Sequence, residues 1–162
     1  MRIAVTGHRG LPAATGQLVG QAIRGHLTRC AASDRLTGIS ALADGADQIF
    51  ARAVLDAGGQ LEVIVSAARY RDGLPESAHD TYDALLSAAA AVHRLGYAES
   101  TEDAHMAASR AMLDRAEHLF AVWDGKPARG YGGTADVVAE ARRRAIPVTV
   151  IWPDGASRDQ AA

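Results

Sequence analysis

Six short apolar runs alternate with longer stretches of helical spacing, and that alternation leaves the chain few folds to choose from. Ile3–Thr6 stops at Gly7, and Gln17–Ala31 then carries Leu18, Ala22, Ile23 and Leu27 along one helical face. Leu36–Leu42 is a second strand. Asp44–Ala57 is a second helix, with Gly58-Gly59 as its stop. Leu61–Ser66 is a third strand, and residues 67–78, holding Gly73 and Pro75, read as a long loop and a candidate lid. Thr81–Val92 is an alanine-dominated helix and Arg94–Tyr97 a short fourth strand. Glu102–Ala116 (helix), His118–Trp123 (strand), Thr134–Ala145 (helix) and Val148–Trp152 (strand) complete the pattern. Strands alternating with helices predict βαβ units and a mostly parallel sheet. Right-handed crossovers place helices on both faces. The predicted fold class is therefore α/β: a single Rossmann-like three-layer αβα sandwich over residues 1–153, with a loose polar tail at 154–162.

Composition narrows the function classes. The 162 residues fit one domain, and 48% hydrophobic with 22% charged residues is an ordinary globular balance. A net charge of -2 argues against nucleic acid as the partner, and the basic run Arg142–Arg144 suits the outer end of a helix, where cations complement the dipole. Cys30 is the only cysteine, which excludes an intrachain disulfide. The histidines at 8, 26, 79, 93, 105 and 118 form no metal-ligand spacing, so neither metal nor cofactor is expected. Of these, only His8 falls at an expected site. No apolar run reaches membrane-span length and the start lacks signal-peptide features, so the expected location is the cytoplasm. The 17 basic residues include a single lysine, Lys126.

In open α/β sheets, ligands bind beyond the carboxyl ends of the strands. Three of those ends carry glycine with polar or charged residues. Gly7-His8-Arg9-Gly10 follows the first strand, and Arg9 can fork onto a phosphate. Ala43-Asp44-Gly45-Ala46-Asp47 follows the second; Asp44 can cap the helix or bind a sugar hydroxyl. Asp124-Gly125-Lys126 and then Tyr131-Gly132-Gly133-Thr134 follow the fifth. The last opens a helix whose free N–H groups and dipole favour an anion, with Thr134 as cap or phosphate contact and Tyr131 as a stacking ring. The dinucleotide fingerprint, the P-loop and the Gly-x-Ser-x-Gly elbow are all absent.

The ordered set of strand ends resembles the SLOG superfamily, Rossmann-like domains related to the cytokinin-activating phosphoribohydrolases and to DNA-processing protein A. The resemblance spans about residues 2–152 and rests on Val5–Arg9, Ala41–Asp47 with Ala51, and His118–Gly125 leading to Gly132-Gly133-Thr134. It implies a nucleotide or nucleotide-derived ligand with its phosphate at the Gly132–Thr134 helix start. The phosphoribohydrolases carry Pro-Gly-Gly-x-Gly-Thr-x-x-Glu, whose glutamate assists N-glycosidic cleavage. Here Val137 stands at that position, the proline is missing, and Asp136 and Glu140 flank the place out of register. Arg110 and Arg115 are the nearest candidates for the family's catalytic arginine.

Two readings follow. One is a domain that binds, and by extension senses, a nucleotide-derived ligand. The other is a hydrolase or transferase acting on the N-glycosidic bond of nucleosides or nucleoside monophosphates, with Asp44, Asp124 or Asp136 as carboxylate. The sequence assigns no catalytic residue. The alanine run Ala88–Ala91 gives the Thr81–Val92 helix a small-residue face, and a homodimer packed through it is expected.

Overall fold

The computed structural model describes residues 1–30 and 35–158. Six parallel strands form one sheet in the order β4-β3-β2-β1-β5-β6. They are β1 (Arg2–Gly7), β2 (Thr37–Ser40), β3 (Gln60–Ala67), β4 (Ala91–Tyr97), β5 (His118–Val122) and β6 (Val148–Ile151). The helices are α1 (Ala13–Cys30), α2 (Ala46–Asp56), α3 (His79–Ser87), α4 (Glu102–Asp114) and α5 (Thr134–Arg143). Ala31, the expected end of the first helix, lies outside the described residues, as does the tail from 159 onward.

Strand alternation splits the core between the two faces of the sheet. Ile3, Val5, Phe120 and Val122 pack with Val19, Ile23 and Phe50 of α1 and α2. Ala4, Ile39, Ile64 and Leu119 turn the other way, against Met106, Met112 and Leu113 of α4 and Val137 of α5. Burial on both faces is what near-continuous apolar strands require. The three-layer αβα sandwich expected from the sequence is the observed architecture.

Strand order reverses between β1 and β5, since β2, β3 and β4 spread to one side and β6 lies on the other. The crevice at such a point is where this architecture binds ligands. Gly7 sits at its floor. A Cβ there would lie 2.4 Å from Ala46 Cβ and 2.8 Å from Val122 Cβ, so glycine lets α2 and β5 close on the end of β1.

Three expectations are corrected. The helix expected over Thr81–Val92 ends at Ser87, and by Ala91 the chain is already in β4. High helix propensity in the alanines yields to parallel pairing of Val92 with Val63 and His93 with Ile64. The alanine run therefore offers no helical face for a dimer. Residues 67–78 are not a free loop either. Two single 3₁₀ turns, Arg71–Gly73 and Glu76–Ala78, fold it down so that Tyr70 and Leu74 pack with Tyr82 and Leu85 of α3. The tail is fixed as far as residue 158, because Thr15 Oγ1 donates to Ser157 O and accepts from Ser157 N, both at 2.9 Å.

Candidate functional site

Two clefts open at the reversal point and share Gly7, Arg9 and Thr134. One, a cavity of about 160 Å³, is ringed by Arg9, Lys126, Arg129 and Arg158 around the first turn of α5. The other, about 100 Å³, runs between the ends of β1–β3 and one face of α4.

Carboxylates hold the basic walls in place. Asp44 Oδ1 accepts from Arg9 Nε at 2.9 Å and Asp44 Oδ2 accepts from the Gly10 N–H at 2.9 Å, so this residue clamps the β1–α1 loop. It does not cap α2, whose N-cap is Gly45, without a side-chain cap bond. Asp124 Oδ1 accepts from the Lys126 N–H at 3.0 Å, and Trp123 Nε1 donates to Lys126 O at 2.8 Å. Between them these bonds set the loop that carries Gly125 and the only lysine. Burial works to raise the Asp124 carboxyl, but the Lys126 N–H, His8 and Arg158 outweigh it and hold it below the usual carboxylate range. Asp136 Oδ2 accepts from the Gly132 N–H at 2.9 Å, which folds the glycine loop back onto α5.

His8 joins the two loops across the crevice. Its own N–H donates to Val122 O at 3.1 Å, and the Asp124 N–H donates to His8 Nε2 at 3.1 Å. Its Nδ1 lies 3.4 Å from Thr134 Oγ1, so the ring also reaches the start of α5. Burial and the Arg158 guanidinium lower its pKa, so the ring is neutral at pH 7 despite Asp124 Oδ1 only 3.2 Å from Nε2. Thr134 is the first residue of α5, after the N-cap Gly133, so its hydroxyl serves His8 and not the helix end.

The second cleft is lined by residues the sequence reading did not place at the site. Asp47 is 7% exposed, and burial raises its pKa to about 7 against the opposing Ala43 N–H and Arg9. Ser66 is buried and its hydroxyl has no hydrogen-bond partner among the described residues. His105 and Ser109 share one face of α4, four residues apart. Burial lowers the His105 pKa and raises that of Tyr70, so both are uncharged at neutral pH. Asp47 stood in the glycine motif and was legible as a strand-end carboxylate. Ser66, Tyr70, His105 and Arg158 carried no local signal.

Of the expected residues, Gly7, Arg9 and Thr134 line both clefts, His8 and Lys126 the basic one, and Gly132 the other. Asp44, Gly45, Asp124, Gly125 and Gly133 shape the surrounding loops. Tyr131 is 47% exposed, and its hydroxyl accepts from Arg110 at 3.4 Å. Arg115 lies at the opposite end of α4, with its guanidinium on Ala111 O. Val137 is 1% exposed and packed in the core, so the position of the phosphoribohydrolase glutamate faces away from the clefts. The run Arg142–Arg144 is consumed locally: Arg143 and Arg144 bond Glu140, and Arg142 lies over Trp123. No group of three or more potential metal ligands occurs among the described residues, and no helix there is long and apolar enough to cross a membrane.

No family model and no curated protein matches this sequence. Solved structures do. DNA processing protein A from Streptococcus pneumoniae is 18% identical with a TM-score of 0.67, over 95% of this chain and 51% of that one. The chain thus spans about half the length of that protein. DNA processing protein A from Helicobacter pylori, described with a single-stranded DNA binding mode, is 14% identical with a TM-score of 0.68, over 97% and 68%. The Moco carrier protein of Chlamydomonas is 14% identical with a TM-score of 0.54, over 92% and 74%. The chain shares the Rossmann-like fold of these proteins.

Proposed function

We propose that the chain binds a phosphate-bearing, nucleotide-derived small molecule, with the phosphate at the start of α5. The observation that carries this reading is the basic cleft: Arg9, Lys126, Arg129 and Arg158 converge on a helix N-terminus whose N–H groups and dipole favour an anion. Its continuity with the less charged second cleft suits a molecule that is anionic at one end only. Structural neighbours that carry Moco or bind single-stranded DNA support ligand binding at this fold in general. A net charge of -2 does not by itself exclude nucleic acid, because Arg9, Lys126, Arg129 and Arg158 meet at one cleft. A mononucleotide is preferred because the cations stand at one end of the site, with a less charged cleft adjoining them, whereas a polyanion needs cations spread along its path. N-glycosidic hydrolysis is disfavoured: Val137 is buried, and Asp44, Asp124 and Asp136 are all engaged in holding loops. A cytoplasmic location and a homodimer accompany the reading, and fractionation and sedimentation would test them.

Calorimetry with nucleoside monophosphates at low salt tests it, alongside single-stranded oligonucleotides. Lys126→Ala is expected to weaken monophosphate binding about tenfold, near the roughly 1.4 kcal/mol of one charge-assisted contact. Arg52→Ala, an exposed arginine on α2, should change nothing. No heat and no rise in melting temperature at millimolar monophosphate would remove the proposal, as would binding confined to oligonucleotides. Chromatography after prolonged incubation should recover the monophosphates with their bases still attached.

A further inference from the structure

The second cleft has a chemistry that the phosphate does not use. Among its lining side chains only Arg9 carries a fixed charge, and Asp44 already holds it. The other polar groups are hydroxyls, a neutral imidazole and a carboxyl that holds its proton as readily as not at pH 7. Ala41, Ala43, Ala108 and Met112 add small apolar walls.

Ser66 is the telling residue. It is 1% exposed, lines the cleft, and its Oγ has no partner among the described residues. Buried hydroxyls are almost always hydrogen-bonded, because leaving one unpaired costs about 1–3 kcal/mol. The pairing of β3 with β4 shifts register between Val65 and Ala67, so Ser66 is the residue at the irregularity. Such irregularities at strand ends re-aim a side chain, and here the side chain reaches a cavity. Asp47, on the first turn of α2, lines the same cleft; its Oδ2 accepts from the Ala43 N–H at 3.2 Å.

We infer that this cleft selects the uncharged part of the ligand, a planar hydrogen-bonding ring such as a nucleobase, and that Ser66 and Asp47 are its specificity-determining residues. This rests on the phosphate reading above. A ring fits because the walls are small and apolar while the polar atoms are few and able both to donate and to accept. A second ionised group would lose its hydration there without gaining a fixed counter-charge.

The test is calorimetry with inorganic phosphate, ribose 5-phosphate and the four common nucleoside monophosphates, on wild type, Ser66→Ala and Asp47→Asn. Ser66→Ala removes an unsatisfied buried hydroxyl, so the variant is expected to fold at least as well as wild type. At least one monophosphate should bind tenfold or more tightly than ribose 5-phosphate. Each variant should cut that preference at least fivefold while leaving ribose 5-phosphate within twofold. Equal binding of all phosphates by wild type would overturn the inference and leave the phosphate reading standing. So would a uniform loss across the panel in Ser66→Ala, or an unchanged preference in both variants, as expected of a hydroxyl served by solvent alone. Silence across the whole panel would remove both.

Discussion

Between pH 4 and pH 7 the folded protein is expected to lose about 3 kcal/mol of stability through one carboxyl group, Asp47. Burial raises its folded pKa to about 7, whereas an unfolded aspartate titrates near ~3.9. Inside that window the native state keeps the proton and the unfolded state releases it. Stability is therefore full below the unfolded pKa and declines as pH rises to 7, by about 1.4 kcal/mol per pH unit. Other groups run the opposite way. His8, His105 and His118 have lowered pKa values and gain stability as pH rises through their range, and Glu140, held down to about 2 by Arg143 and Arg144, favours pH above the carboxylate range. The clean observable is thus the difference between wild type and Asp47→Asn in urea unfolding at pH 4, 5.5, 7 and 8. The amide cannot ionise and can still accept from the Ala43 N–H. The two proteins should be nearly equal at pH 4, with the variant gaining steadily to pH 7 and levelling beyond. A difference that does not vary with pH would show that Asp47 titrates normally in the folded state.

That carboxyl also shows where sequence reading of the site succeeds and where it stops. The layers, the six strands and the strand ends were legible because each depends on local patterning: apolar runs of strand length, helical spacing, and glycines at the turns. The Ala88–Ala91 segment was misread because its outcome is decided by pairing with β3, a partner some thirty residues away that propensity does not encode. The aspartates were found, but their hold on the loops was not. Asp44 and Asp124 were expected as ligand contacts and Asp136 as a candidate carboxylate for hydrolysis; each also accepts a backbone N–H from its own site loops. Sequence position put them at the strand ends; only three-dimensional contact decided that they hold the loops. Arg158 was invisible for a different reason. It reaches the basic cleft only because Thr15 ties down Ser157, a contact across 142 positions.

The close fit of the loops makes Gly45→Ala a strongly damaging substitution. Gly45 has φ +89° and ψ -128°, a region that residues with a Cβ avoid, and an added methyl would stand 2.7 Å from His8 O and 3.2 Å from Arg9 Cα. Neither obstacle is the tip of a flexible side chain. The same segment holds the Ala46 N–H bond to His8 O at 3.2 Å, so the backbone cannot yield without releasing the loop that carries Arg9. Gly58 is the matched control: its φ is also positive, at +79°, but a Cβ there meets nothing within 4 Å. Gly58→Ala should cost about 1 kcal/mol, the strain of the left-handed backbone alone. Gly45→Ala should cost about 3 kcal/mol or more, lowering the melting temperature by about 9 °C in a chain of this size. At temperatures where it remains folded, Gly45→Ala should also weaken nucleoside monophosphate binding, since Arg9 and His8 move with the displaced loop, while Gly58→Ala should bind as wild type does. Equal stability losses in the two variants would mean that the approach of α2 to the β1–α1 loop is not tight, and the site would then be less rigidly built than these contacts require.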